Sequence, residues 1–322
     1  MPVLCAGRTV PGMILRGYLL ALCFVLLALA WSAEARPRWR SQSEVPPVPV
    51  PEVSGMAPVN GISMYYAIYG QGTPVLLIHG GLGSSDVWAA EIPLLAKHHE
   101  VIVADSRGQG RSTTNSERLT YTLMADDYLA LLDYLKVRQV ALVGWSDGGI
   151  IGLDIAIHHP DRLSALFAQA ANASPDGLIA MSPVEKQDFL SRVHRLIGQA
   201  KGHVVSVVRA AGSRVLAIFG RSASAAPPSP SLALQKEILK LWVTEPHYSE
   251  EELASIRVRT AIVIGDHDDV IRLDHTKYLA RTIPGAQFII LHGVGHSAVV
   301  EDPVGYSHAV RAFLDGSASS PR

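Results

Sequence analysis

Short apolar runs alternate with longer amphipathic segments along most of this chain. A run such as Val75–Ile78 is apolar at every position, which is typical of a parallel strand buried on both faces. The segment Tyr121–Leu135 instead carries its apolar residues at helical spacing. The pattern predicts an α/β fold in which helices flank a mostly parallel central sheet.

The same two periodicities predict the remaining elements. Further strands are expected at Glu100–Ala104, Val140–Val143, Leu163–Ala168, Thr260–Ile264 and Gln287–Leu291. Further helices are expected at Asp86–Lys97, Asp274–Thr282 and Val304–Leu314, and directly after Gly149. Asn60-Gly61 is a strong turn dipeptide, and alternating apolar residues follow it, so a β-hairpin is expected at the edge of the sheet.

Composition narrows the functional classes. The chain has 322 residues, 48% of them hydrophobic, which is enough for one α/β domain with an insertion or for two domains. A formal net charge of -1 gives no basic surface, so nucleic acid is not an expected partner. Both cysteines, Cys5 and Cys23, precede residue 36, so serine is the expected nucleophile of the folded body.

The strongest local signal is the segment Gly144-Trp145-Ser146-Asp147-Gly148-Gly149, which lies between a predicted strand and a predicted helix. A Gly-x-Ser-x-Gly at such a turn predicts a nucleophile elbow, in which a strained backbone presents Ser146 at a helix N-terminus. Gly144 and Gly148 are expected because a Cβ at either position would collide with the neighbouring strand or helix. The alternative is a glycine-rich turn with an incidental serine.

Candidate partners for Ser146 follow two later strands. Asp268 lies just after the strand that ends at Ile264, and His296 lies after the strand that ends at Leu291. The carboxyl ends of parallel strands share one crevice, so these side chains are expected to converge on Ser146. Asp266 and Asp269 are the rival acids and His292 the rival base, and the order Ser, Asp, His is the one that nucleophile-elbow hydrolases use.

Together these motifs resemble the α/β-hydrolase superfamily over nearly all of residues 57–316. The matching segments are His79-Gly80-Gly81, the loop Asp105–Ser112, Gly144–Gly149, Gly265-x-x-Asp268, and Gly295-His296 with Glu301-x-Pro303. The resemblance implies a serine hydrolase of carboxylic esters of small molecules, with Ser146 as nucleophile, His296 as base and then acid, and Asp268 as the orienting carboxylate. It also implies an oxyanion hole made by the N–H groups of Gly81 and Asp147.

Within the superfamily, the elbow is most similar to the valacyclovir hydrolase (biphenyl-hydrolase-like) branch. That resemblance implies that Asp147 meets the amino group of an α-amino ester and that Trp145 lines the pocket. The alternative is that the Asp147 carboxylate is solvated and only its N–H acts. The chain departs from the branch in its predicted export segment and in a cap that cannot be matched residue by residue.

Other interpretations of the same residues remain open. Carbon–carbon bond hydrolases, lactonases and perhydrolases use the same triad, and an exported binding protein with little turnover would keep the same fold. His79 is expected to hydrogen-bond within its turn, and the loop Asp105–Ser112 lacks the residues of a phosphate site, so it is interpreted as structural. We expect no cofactor and no metal, although Asp266, His267, Asp268 and His98-His99 form a conceivable cluster.

Composition also divides the chain into segments. Residues 36–57 are rich in proline and indicate a linker, so the first part of the core is predicted at 58–170 and the second part at 257–316, with a tail at 317–322. Residues 171–256 lose the alternation of strands and helices, which predicts a mostly helical cap inserted over the site.

Residues 1–35 have the layout of an export segment. Arg8 and Arg16 precede an uncharged apolar stretch, and Ala33-Glu34-Ala35 supplies small residues, so a signal peptide cleaved after Ala35 is expected. The apolar stretch approaches the ~18 residues that can span a bilayer, which makes an uncleaved membrane anchor the alternative. The expected location is periplasmic or secreted, with membrane contact only if the segment is retained.

Overall fold

The computed structural model describes residues 46–179 and 230–316. The predicted export segment, part of the linker, the middle of the predicted cap and the tail lie outside the described residues. The described part contains a single eight-stranded sheet flanked by helices, which confirms the predicted fold class. Its strands are β1 (Val53–Val59), β2 (Ile62–Tyr69), β3 (Thr73–Ile78), β4 (His99–Ala104), β5 (Val140–Trp145), β6 (Leu163–Gln169), β7 (Thr260–Gly265) and β8 (Gln287–Leu291).

The helices lie in two layers on the two faces of the sheet. They are α1 (Ile92–Leu95), α2 (Tyr121–Tyr134), α3 (Asp147–His158), α4 (Leu232–Thr244), α5 (Glu250–Ser255), α6 (Leu273–Thr282), α7 (Ala298–Glu301) and α8 (Pro303–Leu314). Apolar residues of α2, α3, α5 and α6 form the core on one face, while α1, α7 and α8 pack on the other. Strand β3 is buried on both faces, as its uninterrupted apolar run requires.

The strand order is β1-β2-β4-β3-β5-β6-β7-β8, and pairing is parallel from β4 to β8. After β3 the chain adds β4 on one side and then β5 on the other, so the winding reverses at β3. In open α/β sheets, ligands bind at the carboxyl ends of the strands where this reversal occurs. The turns that follow β3 and β5 therefore lie at the place where a site is expected.

The predicted hairpin at the edge of the sheet is confirmed. Val59 of β1 pairs with Ile62 of β2 across Asn60 and Gly61, and both turn residues have positive φ, at 41° and 75°. Positive φ at two central residues defines the turn that matches the twist of the two strands.

Two predicted boundaries are wrong. The sheet begins at Val53, inside the predicted linker 36–57, because edge strand β1 is held mainly by main-chain bonds to β2 and buries few apolar side chains. The predicted helix Asp86–Lys97 is instead a 3-10 turn, Ser85–Ala89, followed by the short α1. Pro93 lies in the first turn of α1, where a proline is tolerated, so a new helix begins there.

Two of the described helices, α4 and α5, lie within the segment 171–256 that was predicted as a cap. Helix α4 buries Leu234, Ile238 and Leu241 on one side. Among residues 46–179 and 230–316, no helix combines the length and the apolar character needed to cross a membrane.

Candidate active site

The turn between β5 and α3 presents Ser146 in a strained conformation. Its φ is 55° and its ψ is -119°, a region that residues other than glycine rarely occupy. Such strain costs on the order of 1–3 kcal/mol and is characteristic of functional sites. The N–H of Ser146 donates to the carbonyl of Gln169 at the end of β6, which ties the turn to the neighbouring strand.

The glycines on either side of Ser146 make this turn sterically possible. A Cβ on Gly144 would overlap with the main chain of Gly148 and Gly149, and a Cβ on Gly148 would overlap with the carbonyl group of Ile78 in β3. The predicted reason for both glycines is therefore confirmed.

The structure brings the three predicted triad side chains together. The Oγ of Ser146 lies 3.1 Å from Nε2 of His296, and Nδ1 of His296 lies 3.1 Å and 3.2 Å from the two carboxylate oxygens of Asp268. The Asp268 carboxylate also accepts the N–H groups of Val270 and Ile271, which fixes its orientation. A hydroxyl, an imidazole and a carboxylate in this order form the arrangement that activates a serine nucleophile.

The rival residues have other partners. The Asp266 carboxylate bonds His267, His292 and the N–H of Gly293, so it belongs to an exposed cluster. The side chain of His292 is 73% exposed, whereas that of His296 is 6% exposed. The geometry therefore selects His296 as the candidate base and Asp268 as its acid.

The surroundings of His296 favour its protonated form. Burial by itself lowers the pKa of this imidazole, but the charge and hydrogen bonds of Asp268, with smaller contributions from Asp269 and Glu301, raise the pKa above its ordinary value. A histidine of this kind accepts a proton from a hydroxyl more readily than an isolated imidazole does.

The Asp147 carboxylate is not solvated, contrary to one of the two readings of the sequence. The residue is 3% exposed, and its Oδ1 accepts hydrogen bonds from the hydroxyl of Tyr121 at 3.1 Å and from Nε1 of Trp242 at 2.9 Å. Within the described residues, Oδ2 has no hydrogen-bond partner. Burial raises the pKa of Asp147 to about 6, against the lowering effect of the two hydrogen bonds and of His296.

Trp145 does not line the pocket, so that expectation is wrong. The side chain packs in the core beneath the site, and its Nε1 donates to the carbonyl of His296 at 2.8 Å. Trp145, the last residue of β5, is absent from the cavity lining and instead supports the loop that carries His296.

The loop after β3 lies against the elbow. A Cβ on Gly81 would overlap with the Asp147 carboxylate and the Trp242 ring, so any larger residue here would displace these side chains. His79 uses both ring nitrogens within the loop region: Nδ1 donates to the carbonyl of Gly80 and Nε2 accepts the N–H of Ser106. The prediction that His79 is structural is confirmed, while the oxyanion role of Gly81 and Asp147 stays a prediction.

A cavity of about 580 Å³ opens beside the serine. Ser146 and Asp147 form one part of its wall, and most of the rest is apolar. Helix α4 supplies Trp242, which also touches Asp147, so part of the predicted cap region contributes directly to the site. The other lining residues are Tyr121, Asn172, Pro175, Asp176, Leu178, Ile179, Leu239, Val243, Val270, Ile271 and Arg272.

The loop that follows β4 has a structural role, as predicted. Arg111 pairs with Asp105, and Arg107 makes a two-pronged ion pair with Asp127 of α2. Among the residues that the structure describes, no group of His, Cys, Asp and Glu side chains has the arrangement of a metal site.

Tyr121 and Trp242 are site residues that the sequence did not reveal. Trp242 is 95 positions from Asp147 along the chain, and nothing in the local pattern of α4 distinguishes it from a core residue. Tyr121 is the first residue of α2 and had no apparent role beyond its position there.

Fold and geometry together define an α/β-hydrolase-fold protein. Residues 73–204 match the alpha/beta hydrolase fold family. A relative from Pseudomonas syringae, RutD, assigned as a carbamate hydrolase, is 27% identical over 78% of this chain and 97% of its own length.

Two solved structures are similar to most of the chain. Est816, described as an N-acyl homoserine lactone degrading enzyme, is 26% identical, with a TM-score of 0.61 over 81% of this chain and 100% of its own. A thermophilic esterase from Thermogutta terrifontis is 25% identical, with a TM-score of 0.60 over 82% of this chain and 98% of its own.

Proposed function

We propose that this protein is a serine hydrolase that cleaves carboxylic ester or related acyl bonds of small molecules. The observation that carries the proposal is the continuous hydrogen-bonded chain from Ser146 through His296 to Asp268, at the wall of a cavity large enough for a small molecule. The strained backbone at Ser146 and the buried His296 both favour a reactive serine over an incidental one.

In this mechanism, neutral His296 removes the proton of Ser146 as its Oγ attacks the carbonyl carbon of the substrate. Asp268 holds the imidazole with Nε2 toward the serine and stabilises the imidazolium that forms. The oxyanion would accept hydrogen bonds from the N–H groups of Gly81 and Asp147, each worth about 3 kcal/mol of barrier. His296 then protonates the leaving alcohol, and water hydrolyses the acyl-enzyme by the reverse proton path.

Steady-state hydrolysis of p-nitrophenyl esters of graded chain length tests the proposal. Asp268 and Asp266 provide a matched pair of carboxylates for substitution. Asp268→Asn is expected to lower kcat by roughly 10³–10⁴-fold, because the imidazole loses its orienting carboxylate. Asp266→Asn removes a nearby exposed carboxylate that bonds other partners, so its kcat should stay within about twofold of the parent. Equal losses in both variants would contradict the assigned triad.

A preference for α-amino esters is a second candidate, supported by the Asp147 carboxylate. Its Oδ2 lies beside Gly81 without a partner among the described residues, and the carboxylate is ionised above about pH 6. An ammonium group next to the scissile carbonyl would pair with this oxygen and offset its burial. The resemblance of the elbow to the valacyclovir hydrolase branch supports the same idea.

Comparing a valyl ester with its deaminated analogue tests this preference. The valyl ester should have the higher kcat/KM in the parent, and Asp147→Asn should remove most of the difference while it keeps both acceptor bonds to Oδ1 possible. Equal kcat/KM for the two esters would refute the preference and leave the serine hydrolase proposal intact. A lactone and a carbamate belong in the same panel, because related proteins are described as acting on such bonds.

A further inference from the structure

A second carboxylate holds the loop that carries His296. Glu301, the last residue of α7, accepts the N–H of Gly295 through its Oε2 at 2.5 Å. Its own N–H donates to the carbonyl of Ser297, so Glu301 spans the loop from one side of His296 to the other. The triad described above does not use this carboxylate.

Three segments meet at the Gly295 peptide: the loop after β7, the loop after β8, and helix α7 with Glu301. A Cβ on Gly265, at the end of β7, would overlap with the carbonyl groups of Val294 and Gly295. The N–H of His267 donates to the carbonyl of Val294 at 3.0 Å. The loop after β8 is thus packed against the loop after β7, and Glu301 holds it through the Gly295 N–H.

We propose that Glu301 is a positioning residue, which places the His296 imidazole between Ser146 and Asp268 by anchoring the Gly295 peptide. The proposal rests on the proposed serine hydrolase function. The Gly295 N–H directly precedes His296, so a displacement of this peptide moves the imidazole relative to Ser146. Displacements near 1 Å can cost about 100-fold in rate, because the proton acceptor leaves its productive geometry.

The charges around Glu301 support the same role. Among the described residues, His296 and Asp269 are the charged groups that act most strongly on it. Burial raises the pKa of Glu301 to about 7, against the lowering effect of the Gly295 N–H and of His296, while Asp269 raises it further. The carboxylate in turn contributes to the raised pKa of His296.

Two substitutions separate the effect of the hydrogen-bond acceptor from the effect of the negative charge. Glu301→Ala removes the acceptor of the Gly295 N–H, whereas Glu301→Gln keeps an acceptor oxygen and removes the charge. Glu250→Gln, at an exposed position in the first turn of α5, is the control for loss of a surface carboxylate. Each kcat is expressed per serine titrated with a fluorophosphonate, so that misfolded protein does not count.

Glu301→Ala is expected to lower kcat about 10- to 100-fold with little change in KM. Glu301→Gln should recover most of that loss, and the acidic limb of its kcat/KM profile should shift to lower pH, because His296 has lost a nearby negative charge. A Glu301→Ala kcat equal to that of the parent would overturn the proposal, as would a Gln variant as slow as the Ala variant.

If Glu301 has a purely structural role, its variants will lose thermal stability but keep the kcat per titrated serine and the pH profile of the parent. That result would also overturn the proposal. If Glu301→Ala does not fold, the test rests on Glu301→Gln. An acidic limb of its kcat/KM profile at the same pH as in the parent would then overturn the proposal. Failure of the underlying function is distinguishable, because Ser146→Ala would then retain the activity of the parent.

Discussion

The His296 imidazole can act as a base only when it is neutral, and the neighbouring carboxylates raise the pH at which this occurs. Since the pKa of His296 lies above its ordinary value, ester hydrolysis should be lost as pH falls through a midpoint above ~6.5. The pH profile of kcat/KM checks this, and Asp268→Asn should shift the midpoint downward in any residual activity. A profile that is flat between about pH 5 and pH 8 would exclude His296 as the base.

Burial of Asp147 has a cost in stability that can be measured. Its pKa is raised from 3.8 to about 6, so the folded state binds the proton more tightly than the unfolded chain does. The resulting loss in free energy of unfolding is small near about pH 4 and grows as pH rises toward about 6. Above that pH the loss is fully present and amounts to about 3 kcal/mol.

The variant Asp147→Asn removes this loss. Its free energy of unfolding, relative to the parent, should rise by about 2 kcal/mol between about pH 4 and about pH 7. Urea unfolding of both proteins at the two pH values measures this double difference, which cancels the direct effects of the substitution. A difference that does not change with pH would show that the carboxylate is not buried as described.

The candidate residues that could be predicted were those that lie in a recognisable short motif. Ser146 lies in a glycine-framed turn and His296 follows a predicted strand, so their roles could be inferred from spacing. The burial of Asp147 could not, because its partners Tyr121 and Trp242 come from helices whose contacts only the folded chain reveals. The contact of Trp145 with the His296 carbonyl could not be inferred either, because it joins residues 151 positions apart in the chain.

At the scale of elements, the loop after β4 is attached to α2 by a buried ion pair. Arg107 donates to both carboxylate oxygens of Asp127, at 2.7 Å and 2.6 Å, and neither side chain is exposed to any extent. Burial raises the pKa of Asp127 even with Arg107 beside it. A buried ion pair of this kind typically contributes little net stability, because the desolvation of both charges offsets their attraction. Breaking the pair by removing Asp127 is costly for a different reason, because it leaves the Arg107 guanidinium buried with the half-exposed Glu117, at 3.3 Å, as its charged partner.

Asp127→Ala should therefore lower the free energy of unfolding by about 3 kcal/mol or more. The matched control lies on the same helix: Asp133 pairs with Arg162 at the surface and is 70% exposed, so Asp133→Ala should cost less than about 1 kcal/mol. Denaturant unfolding of the two variants makes the comparison, and equal costs would contradict the burial of the Arg107–Asp127 pair.

Most elements were predictable because their apolar periodicity is strong. The core strands β3, β5 and β6 are almost entirely buried, so their apolar runs leave no alternative. Strand β1 was mispredicted as linker, and the segment Asp86–Lys97 was mispredicted as one continuous helix. Main-chain pairing holds β1 with little apolar burial, and Pro93 divides an otherwise helical pattern.

At the scale of the whole molecule, the sheet determines where the chemistry can occur. Ser146 follows β5, the Gly80-Gly81 turn follows β3, and Asp268 and His296 follow β7 and β8, so all four lie at the carboxyl edge of one parallel sheet. This arrangement was predictable from the alternation of strands and helices, because the carboxyl ends of parallel strands share one edge of the sheet. The shape of the pocket was not, because α4 reaches it from a segment without a recognisable motif.

Export is a whole-molecule proposal that rests on residues 1–35. In a secretion-competent host, the mature protein is expected to begin at Arg36 and to be recovered outside the cytoplasm. N-terminal sequencing and the intact mass of the exported protein measure this directly. A full-length chain retained in the membrane fraction would instead support the uncleaved anchor.

The most direct test of the central claim is the intact mass of the protein after reaction with a fluorophosphonate. If the triad activates Ser146, the mass will show one adduct per chain, located on Ser146 by peptide mapping, and no adduct in Ser146→Ala. A folded protein that remains unlabelled, or that is labelled at another residue, would contradict the claim that His296 and Asp268 activate this serine.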